Sequence, residues 1–267
     1  MRRLLAAALL SATPLAALAH DTWILPTPWR MTRPERLVVD LTSAMAFPVP
    51  ETAVRADRLA ASGFRVGGSV APLEPLPASG KSLQLTATPS ATGVATLWIA
   101  TRPRTLDLKP DDVKHYLEEV GAWQTIGAQW SGSGGKTWRE TYTKVAKAFV
   151  RVGEPQNDVS WSEPVGAALE LVPASDPTRL VEGSDLTLRL LWNGRPVAGH
   201  AVGAVPASVT AATLRKTDAT GQLAFRLDRS GPWLLRTTLI RPAAGRAGEW
   251  DSVFTTLTLD VLPRPAP

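Results

Sequence analysis

The stretch LQLTA at residues 83–87 alternates apolar and polar side chains, and the longer apolar run VATLWIA follows it at residues 94–100. Alternation with a period of two is typical of a half-buried β-strand, and a short apolar run between turn residues is typical of a core strand. Similar stretches occur at 36–41 (RLVVDL) and 63–66 (GFRV), with turn residues between them. This succession of short strands separated by turns at short intervals predicts a β-sandwich.

Two segments interrupt the strand pattern of this first region. Pro110, followed by two aspartates, is a favourable helix start, and it predicts a helix over about residues 111–120 that ends near Gly121. A glycine- and serine-rich loop is predicted at 131–135. After it, a second helical or mixed segment is predicted at 138–147, and a strand at 148–152.

A second sandwich is predicted after the turn-rich segment PASDP at 173–177, which we interpret as a linker or a sharp turn between domains. The stretch at 185–191 (DLTLRLL) alternates, and Asn193-Gly194 is the strongest short hairpin signal in the chain. About six short strands without a helix are typical of an immunoglobulin-like sandwich. We therefore predict a mostly β chain with two β-sandwich domains, residues 20–172 with one or two short helices and residues 173–267, which are immunoglobulin-like.

The first 19 residues have the pattern of a bacterial signal peptide. Arg2 and Arg3 form a basic start, an apolar run follows at 4–10, and ALA at 17–19 is a small-x-small cleavage site. The apolar run is too short to span a bilayer, and no later stretch approaches the length of a membrane span. We predict cleavage before His20 and a mature periplasmic protein that does not span the membrane.

Composition excludes several classes of function. The chain has no cysteine, which excludes disulfide scaffolds, thiol nucleophiles and cysteine-ligated metals. Its formal charge of +5 falls to +3 without Arg2 and Arg3, and its basic residues are scattered, so no nucleic-acid partner is expected. The sequence contains neither a Gly-x-Ser-x-Gly elbow nor a Walker loop. No catalytic residue is predicted, and we expect a protein that is not an enzyme.

His20 is the first candidate metal ligand. As the first residue of the cleaved chain, it offers an α-amine and an imidazole nitrogen, which together can close a chelate ring on Cu(II) or Ni(II). The α-amine has a reference pKa of about 8, so a metal ion must displace its proton and binding should weaken at acidic pH. The alternative is that signal peptidase simply leaves this histidine exposed.

His115 and Glu119 are the second pair of candidate ligands. At a spacing of four residues they share one face of the predicted helix and can bind one ion together. Alternatively, Glu119 pairs with Lys114 or His115 on a solvated surface. The third histidine, His200, lies beside the predicted hairpin, where we expect a structural role. The predicted metal site thus consists of His20, His115 and Glu119, and the predicted cofactor is a divalent transition metal ion.

Several motifs occur in a characteristic order along the chain. HDTWILP at 20–26 follows the export signal directly, and YLEE at 116–119, NGRPVAG at 193–199, GPWLLR at 231–236 and WDS at 250–252 come later. In this order and spacing the chain resembles the periplasmic family of unknown-function domains labelled nickel-uptake-transporter-like, or the periplasmic component of a cobalt/nickel transport system. The resemblance covers nearly the whole mature chain. It implies a metal-related periplasmic binding role and a carboxyl-terminal sandwich.

These observations lead to three hypotheses. The first is a periplasmic protein that captures Ni(II), Co(II) or Cu(II) through His20 and passes it to a membrane metal-uptake transporter, with His115 and Glu119 completing the site if the helix packs over the amino terminus. The second is a structural or adhesive two-sandwich module without a metal. The third is a copper redox enzyme in which His20 is half of a histidine brace, which requires a second imidazole on the ion.

Overall fold

The computed structural model describes residues 20–77, 80–134, 137–154 and 158–265, and strands in three sheets make up most of this part of the chain. The predicted signal peptide lies outside the described residues. The helices are α1 (Pro110–Glu119) and α2 (Trp123–Gly132), with short 3-10 turns at Ala56–Arg58 and Ser160–Ser162. The strands are β1 (Asp21–Thr27), β2 (Arg30–Met31), β3 (Leu37–Ala44), β4 (Thr52–Ala53), β5 (Leu59–Val66), β6 (Ser69–Ala71), β7 (Glu74–Pro75), β8 (Leu83–Ala87), β9 (Gly93–Thr101), β10 (Arg104–Leu108), β11 (Trp138–Val152), β12 (Leu169–Pro173), β13 (Asp185–Trp192), β14 (Arg195–Pro196), β15 (Ala201–Pro206), β16 (Thr213–Lys216), β17 (Gln222–Arg226), β18 (Gly231–Pro242) and β19 (Glu249–Val261).

One ten-stranded sheet runs through the molecule in the order β16-β15-β18-β19-β11-β9-β5-β6, and β2 and β10 also pair with β11. At its centre β11 and β19 are parallel, with a register from Arg139↔Glu249 to Ala148↔Thr258. Because β11 belongs to the first half of the chain and β19 to its last part, the two halves share this sheet.

Two smaller sheets cover the large sheet on opposite faces. Since neighbouring side chains of a strand point to opposite faces, β11 sends Ala146 and Ala148 into one core and Val145 and Phe149 into the other. The first core lies against the sheet of β1, β3, β4, β7 and β8, and the second lies against the sheet of β12, β13, β14 and β17. The mostly β fold with two sandwiches is thus confirmed, and the two sandwiches have a common central sheet.

The domain boundary predicted between residues 172 and 173 stays a prediction. The strand next to it, β12, pairs with β13 over the register Leu169↔Trp192 to Pro173↔Leu188. Most of β12 precedes the predicted boundary, yet its hydrogen bonds place it in the carboxyl-terminal sandwich.

The prediction of a helical or mixed segment at 138–147 is wrong, because these residues form most of strand β11. Two charged side chains hide its alternation, since Glu140 and Lys147 are polar in the sequence but only 0% and 2% exposed in the structure. The helix predicted over 111–120 is confirmed as α1, and the second helix is α2, which precedes this segment. α2 extends into the predicted glycine-serine loop, whose last residue lies outside the described residues.

The helices α1 and α2 pack on the end of the large sheet where β10 pairs with β11. Val113 and Leu117 of α1 share an apolar cluster there with Trp138 and Trp250, whose rings stack at 4.6 Å. Large aromatic side chains bury much apolar surface, so this stacked pair supplies a large part of the apolar surface buried in the cluster. The helix pair is thereby fixed beside the starts of β11 and β19.

A buried carboxylate ties these helices to the sheet. Tyr116 Oη and Trp138 Nε1 donate hydrogen bonds to the carboxylate of Glu140 at 2.8 and 2.7 Å, and Ser252 Oγ donates a third. Burial raises the pKa of Glu140, and the three donors oppose that rise. All three partners are donors, so they match an ionised carboxylate.

A second buried charge links β11 to β12. Lys147 Nζ lies 2.6 Å from Glu170 Oε1, and both side chains are only 2% exposed. The amide of Val165 also donates to Glu170 Oε1 at 2.8 Å. Burial lowers the pKa of Lys147, and the neighbouring carboxylate opposes that effect. The pair forms a closed cluster inside the protein.

Candidate functional site

The first strand crosses the central pair of the large sheet. β1 pairs with β3, and the hydroxyls of Thr256 and Thr258 on β19 donate to the carbonyl oxygens of Thr22 and Ile24, each at 2.6 Å. Lys144 Nζ on β11 donates to the carbonyl oxygen of His20 at 2.6 Å. These contacts hold the beginning of the strand, and with it His20, against β11 and β19.

The imidazole of His20 is held in one orientation by a carboxylate. Its Nε2 lies 3.2 Å from Oε1 of Glu51, and the His20 side chain is only 12% exposed. Glu51 is itself positioned by the amide of Met45, which donates to Oε2 at 3.2 Å. The amide and then the His20 contact lower the pKa of Glu51. This hydrogen bond favours the tautomer with a proton on Nε2, which leaves the Nδ1 lone pair of His20 available.

Lys144 is a partly buried cation beside this histidine. Its Nζ lies 5.8 Å from the ring centre of Tyr142 and 5.5 Å from that of Phe254. Burial lowers the pKa of Lys144 to about 8; the charge of Asp21 opposes this, while Arg58 and Arg104 add to it. Three positive charges therefore lie near each other at the end of β1.

The carboxylate of Asp21, whose charge acts on Lys144, is bound by the carboxyl-terminal sandwich. It forms an ion pair with Arg236 of β18, and its side chain is mostly buried. Burial raises the pKa of Asp21, and the charge and hydrogen bond of Arg236 counter the increase. Asp21 also lines a cavity of about 260 Å³ together with Glu118, Glu119 and Arg236.

A larger cavity, which we name the His20 cavity, lies beside the amino-terminal end of β1 and has a volume of about 550 Å³. Hydroxyl groups and charged side chains from several separate elements surround it. Its lining residues are His20, Thr22, Ser43, Thr52, Ala53, Val54, Arg55, Asp57, Arg58, Thr101, Arg104, Tyr142 and Lys144. The lining thus carries four cationic side chains and one carboxylate, which leaves an excess of three positive charges.

The three predicted metal ligands occupy different positions. His20 lines the His20 cavity, Glu119 is exposed and lines the smaller one, and His115 is exposed on α1. Within the described ranges, no three His, Asp or Glu side chains lie close enough together to hold a metal ion. The structure therefore does not gather His20, His115 and Glu119 into a set of that kind, and their assignment as ligands stays a prediction.

Sequence reasoning did not find the cationic residues around His20. Arg58 and Arg104 are far apart in the sequence and look like scattered surface charges, but the pairing of β5, β9, β10 and β11 brings them to one cavity. Lys144 fell within the wrongly predicted helical segment. The alternation of Tyr142 and Lys144 on one face of a strand was the signal that could have placed them together.

No helix in the described ranges is long and apolar enough to cross a membrane. Fold and site together define a mostly β protein with a polar, positively charged cavity at the start of its first strand. The chain belongs to the family described as "Domain of unknown function (DUF4198)", which matches residues 17–241. A link of this family to nickel or cobalt transport stays an implication of the resemblance noted above. Among curated proteins, no sequence matches this chain.

Several solved structures are similar to the chain at low identity. The D0-D1 domain of intimin is 12% identical, with a TM-score of 0.23 and coverage of 87% of this chain and 93% of that one. The Yersinia pseudotuberculosis adhesin InvE is 17% identical, with a TM-score of 0.24 and coverage of 88% and 58%. Three domains of the bacteriophage RB49 outer capsid protein Hoc are 9% identical, with a TM-score of 0.19 and coverage of 90% and 59%. With TM-scores of this size, these similarities carry no inference about function.

Proposed function

We propose that the mature chain, cut before His20, is a non-enzymatic periplasmic protein that binds a divalent transition metal ion at this residue and delivers it to a membrane uptake transporter. Cu(II), Ni(II) and Co(II) are the candidate ions. The observation that carries the proposal is the hydrogen bond between His20 Nε2 and Glu51, since it leaves Nδ1 available on a ring held in one orientation.

The α-amine and Nδ1 of one histidine can bind the same ion and close a chelate ring. Nitrogen donors in a square arrangement suit Cu(II) and Ni(II). Histidine ligands commonly donate the other ring N–H to a carboxylate, which orients the ring and increases its basicity. Glu51 is in that position relative to His20. The proposal needs neither His115 nor Glu119 as a ligand.

The sequence supports the periplasmic location and the delivery step of the proposal. The pattern of the first 19 residues is that of a signal peptide, and cleavage after ALA at 17–19 frees the amine of His20. The resemblance to periplasmic cobalt/nickel transport components supports delivery to a transporter. The absence of cysteine suits a site built from nitrogen and oxygen donors.

The test is calorimetric titration of three forms of the protein with Cu(II), Ni(II) and Co(II). The first form begins at His20, the second is the same chain acetylated at its α-amine, and the third is His115→Gln in the His20 form. We expect tight one-to-one binding in the first and third forms and a large loss in the second, because acetylation converts the amine into an amide and adds no new amine.

Equal binding in the acetylated form would contradict the amino-terminal chelate. A large loss in His115→Gln would instead show that α1 supplies a ligand. If none of the three forms binds these ions, the metal function fails and a structural two-sandwich module becomes the better explanation.

A further inference from the structure

We propose that the His20 cavity is a binding site for a small di- or tricarboxylate anion, which Arg58, Arg104 and Lys144 hold through charge-assisted hydrogen bonds. The site goes beyond the proposed metal function, because it requires no metal ion. The argument depends on the charge, the arrangement and the size of the cavity.

The cavity has more positive charge than the protein itself neutralises. Asp57 is the carboxylate of the lining, and it pairs with Arg55, whose Nε and Nη2 lie 3.1 and 2.5 Å from its two oxygens. Arg58, Arg104 and Lys144 remain as the excess. Like charges close together repel, and a bound anion lowers that cost.

Two of the three cations, Arg58 and Lys144, are hydrogen-bonded to the protein before any ligand binds. Nη1 of Arg58 donates to the carbonyl oxygen of Pro103 at 3.2 Å, which uses one of the five N–H donors of its guanidinium. Nζ of Lys144 donates to the carbonyl oxygen of His20 and keeps further N–H groups for other acceptors. Groups that are already oriented lose less entropy on binding.

The arrangement of the charges indicates the class of anion. Arg58 ends a 3-10 turn, Arg104 begins β10 and Lys144 lies in β11, so the cations come from separate elements around the cavity. The cavity of about 550 Å³ is within the range of small-molecule sites and is large for a single inorganic ion. Several carboxylates on one carbon skeleton match separated cations. Thr22 Oγ1 and Ser43 Oγ lie 2.7 Å apart and are hydrogen-bonded to each other, so one hydroxyl proton of this pair is left to donate to a remaining carboxylate oxygen.

This cavity also includes His20, which gives the anion a second role if the proposed metal site exists. Two nitrogens of His20 leave coordination positions of a metal ion open. A hydroxycarboxylate in the cavity can supply oxygen ligands to those positions, so the metal ion would be carried as its carboxylate complex. This step rests on the proposed function, whereas the anion site does not.

The test uses citrate, succinate and inorganic phosphate as probes, titrated calorimetrically into metal-free mature protein at pH 7. We expect one-to-one binding of citrate, weaker binding of succinate and weaker binding still of phosphate. Arg104→Gln should reduce citrate affinity at least about tenfold, because one charge-assisted contact is worth that much. Arg195→Gln, an exposed residue of β14, is the matched control and should bind citrate like the wild type.

Equal citrate affinities in Arg104→Gln and Arg195→Gln, or no citrate binding to the wild type, would overturn the proposal. Phosphate binding tighter than citrate would overturn the carboxylate class. Arg104 is exposed, so its variant should fold, and the midpoint of urea unfolding checks this. A copper titration without citrate is evaluated separately, so loss of the metal function and loss of the anion site are distinguishable.

Discussion

Strand β11 carries two kinds of charged side chain. Glu140 and Lys147 are fully buried, and protein groups supply their partners: three donors for Glu140 and the carboxylate of Glu170 for Lys147. Lys144 lies between them in the sequence but faces the His20 cavity, near two arginines. A charge whose partners all come from the fold stabilises or orients that fold. A charge that faces a cavity beside like charges is available to a ligand.

The largest effect, on the stability of the fold, should come from removing one partner of the buried Lys147–Glu170 ion pair. Lys147→Met leaves the Glu170 carboxylate buried without its cation, and we expect the free energy of unfolding to fall by about 3–5 kcal/mol. Urea denaturation measures this. The double variant Lys147→Met, Glu170→Leu should recover most of the loss, because it removes both buried charges. If the double variant is as unstable as the single one, the two side chains stabilise the fold by more than neutralising each other's charge.

Replacing Glu140, the buried carboxylate beneath the helices, should give the next largest loss of stability. In Glu140→Gln an amide N–H group faces Tyr116, Trp138 or Ser252, all of which donate now, and we expect a loss of about 1–3 kcal/mol of unfolding free energy. Glu74→Gln, at an exposed position of β7, is the control and should change little. Equal stabilities of the two variants would contradict the hydrogen-bond account.

The same carboxyl also has a pH signature. Burial raises the pKa of Glu140, so its folded pKa exceeds its unfolded pKa. Its contribution to stability is then full below the unfolded pKa and falls as the pH rises through the folded value. Urea titrations across the acidic range should show a smaller fall in Glu140→Gln than in the wild type, because Asp21, whose pKa is also raised by burial, contributes in both proteins.

A smaller effect, on metal affinity, is expected for Glu51, which orients the proposed metal ligand His20. Glu51→Ala removes the partner of His20 Nε2, and we expect the Cu(II) affinity of the mature protein to fall about tenfold, as is typical for partners of metal-binding histidines. Glu74→Ala is the matched control. An unchanged affinity in Glu51→Ala would mean that the carboxylate does not orient the ring in the metal complex.

The smallest effect is the change in citrate affinity when Lys144 loses its proton. Its pKa of about 8 implies that it loses its charge between pH 7 and 9 in the free protein. The other charged and titratable groups that face it are His20 and Asp21 on β1, Arg58, Arg104 and Tyr142. We expect citrate affinity to fall about fivefold over this range, the size of one partly solvated charge interaction. Lys144→Arg should reduce the dependence, because arginine stays charged, and the part that remains belongs to the α-amine of His20, which titrates over the same range. An equal dependence in both proteins would assign all of it to groups other than Lys144.

Much of the fold could be predicted from local patterns. LQLTA at 83–87 coincides with β8, the run at 94–100 lies within β9, and the helix start at Pro110 is correct. The parallel pairing of β11 with β19 was not predictable in this way, because it joins segments about a hundred residues apart and leaves no local signal. It is also what joins the two predicted sandwiches through one sheet.

The site could be predicted only where one residue carries the chemistry. His20 stood out because its position after the cleavage pattern matters by itself. Glu51, Arg58 and Arg104 gain their roles from tertiary contacts, and single charged residues in a sequence look the same whether they face a cavity or bulk water. A helix face was expected to supply further ligands, but the cavity of His20 is lined mainly by strands and turns.

The hydrogen bonds from Thr256 and Thr258 to Thr22 and Ile24 join residues 234 positions apart in the chain. Contacts of such sequence separation slow folding, since a long loop must close before they form. β1 therefore reaches its final place only after β19 has arrived. During that interval its apolar side chains are open to proteases and to other chains. The lifetime of this interval, measurable by pulse proteolysis during refolding, sets how soon the amino terminus becomes competent to bind a ligand.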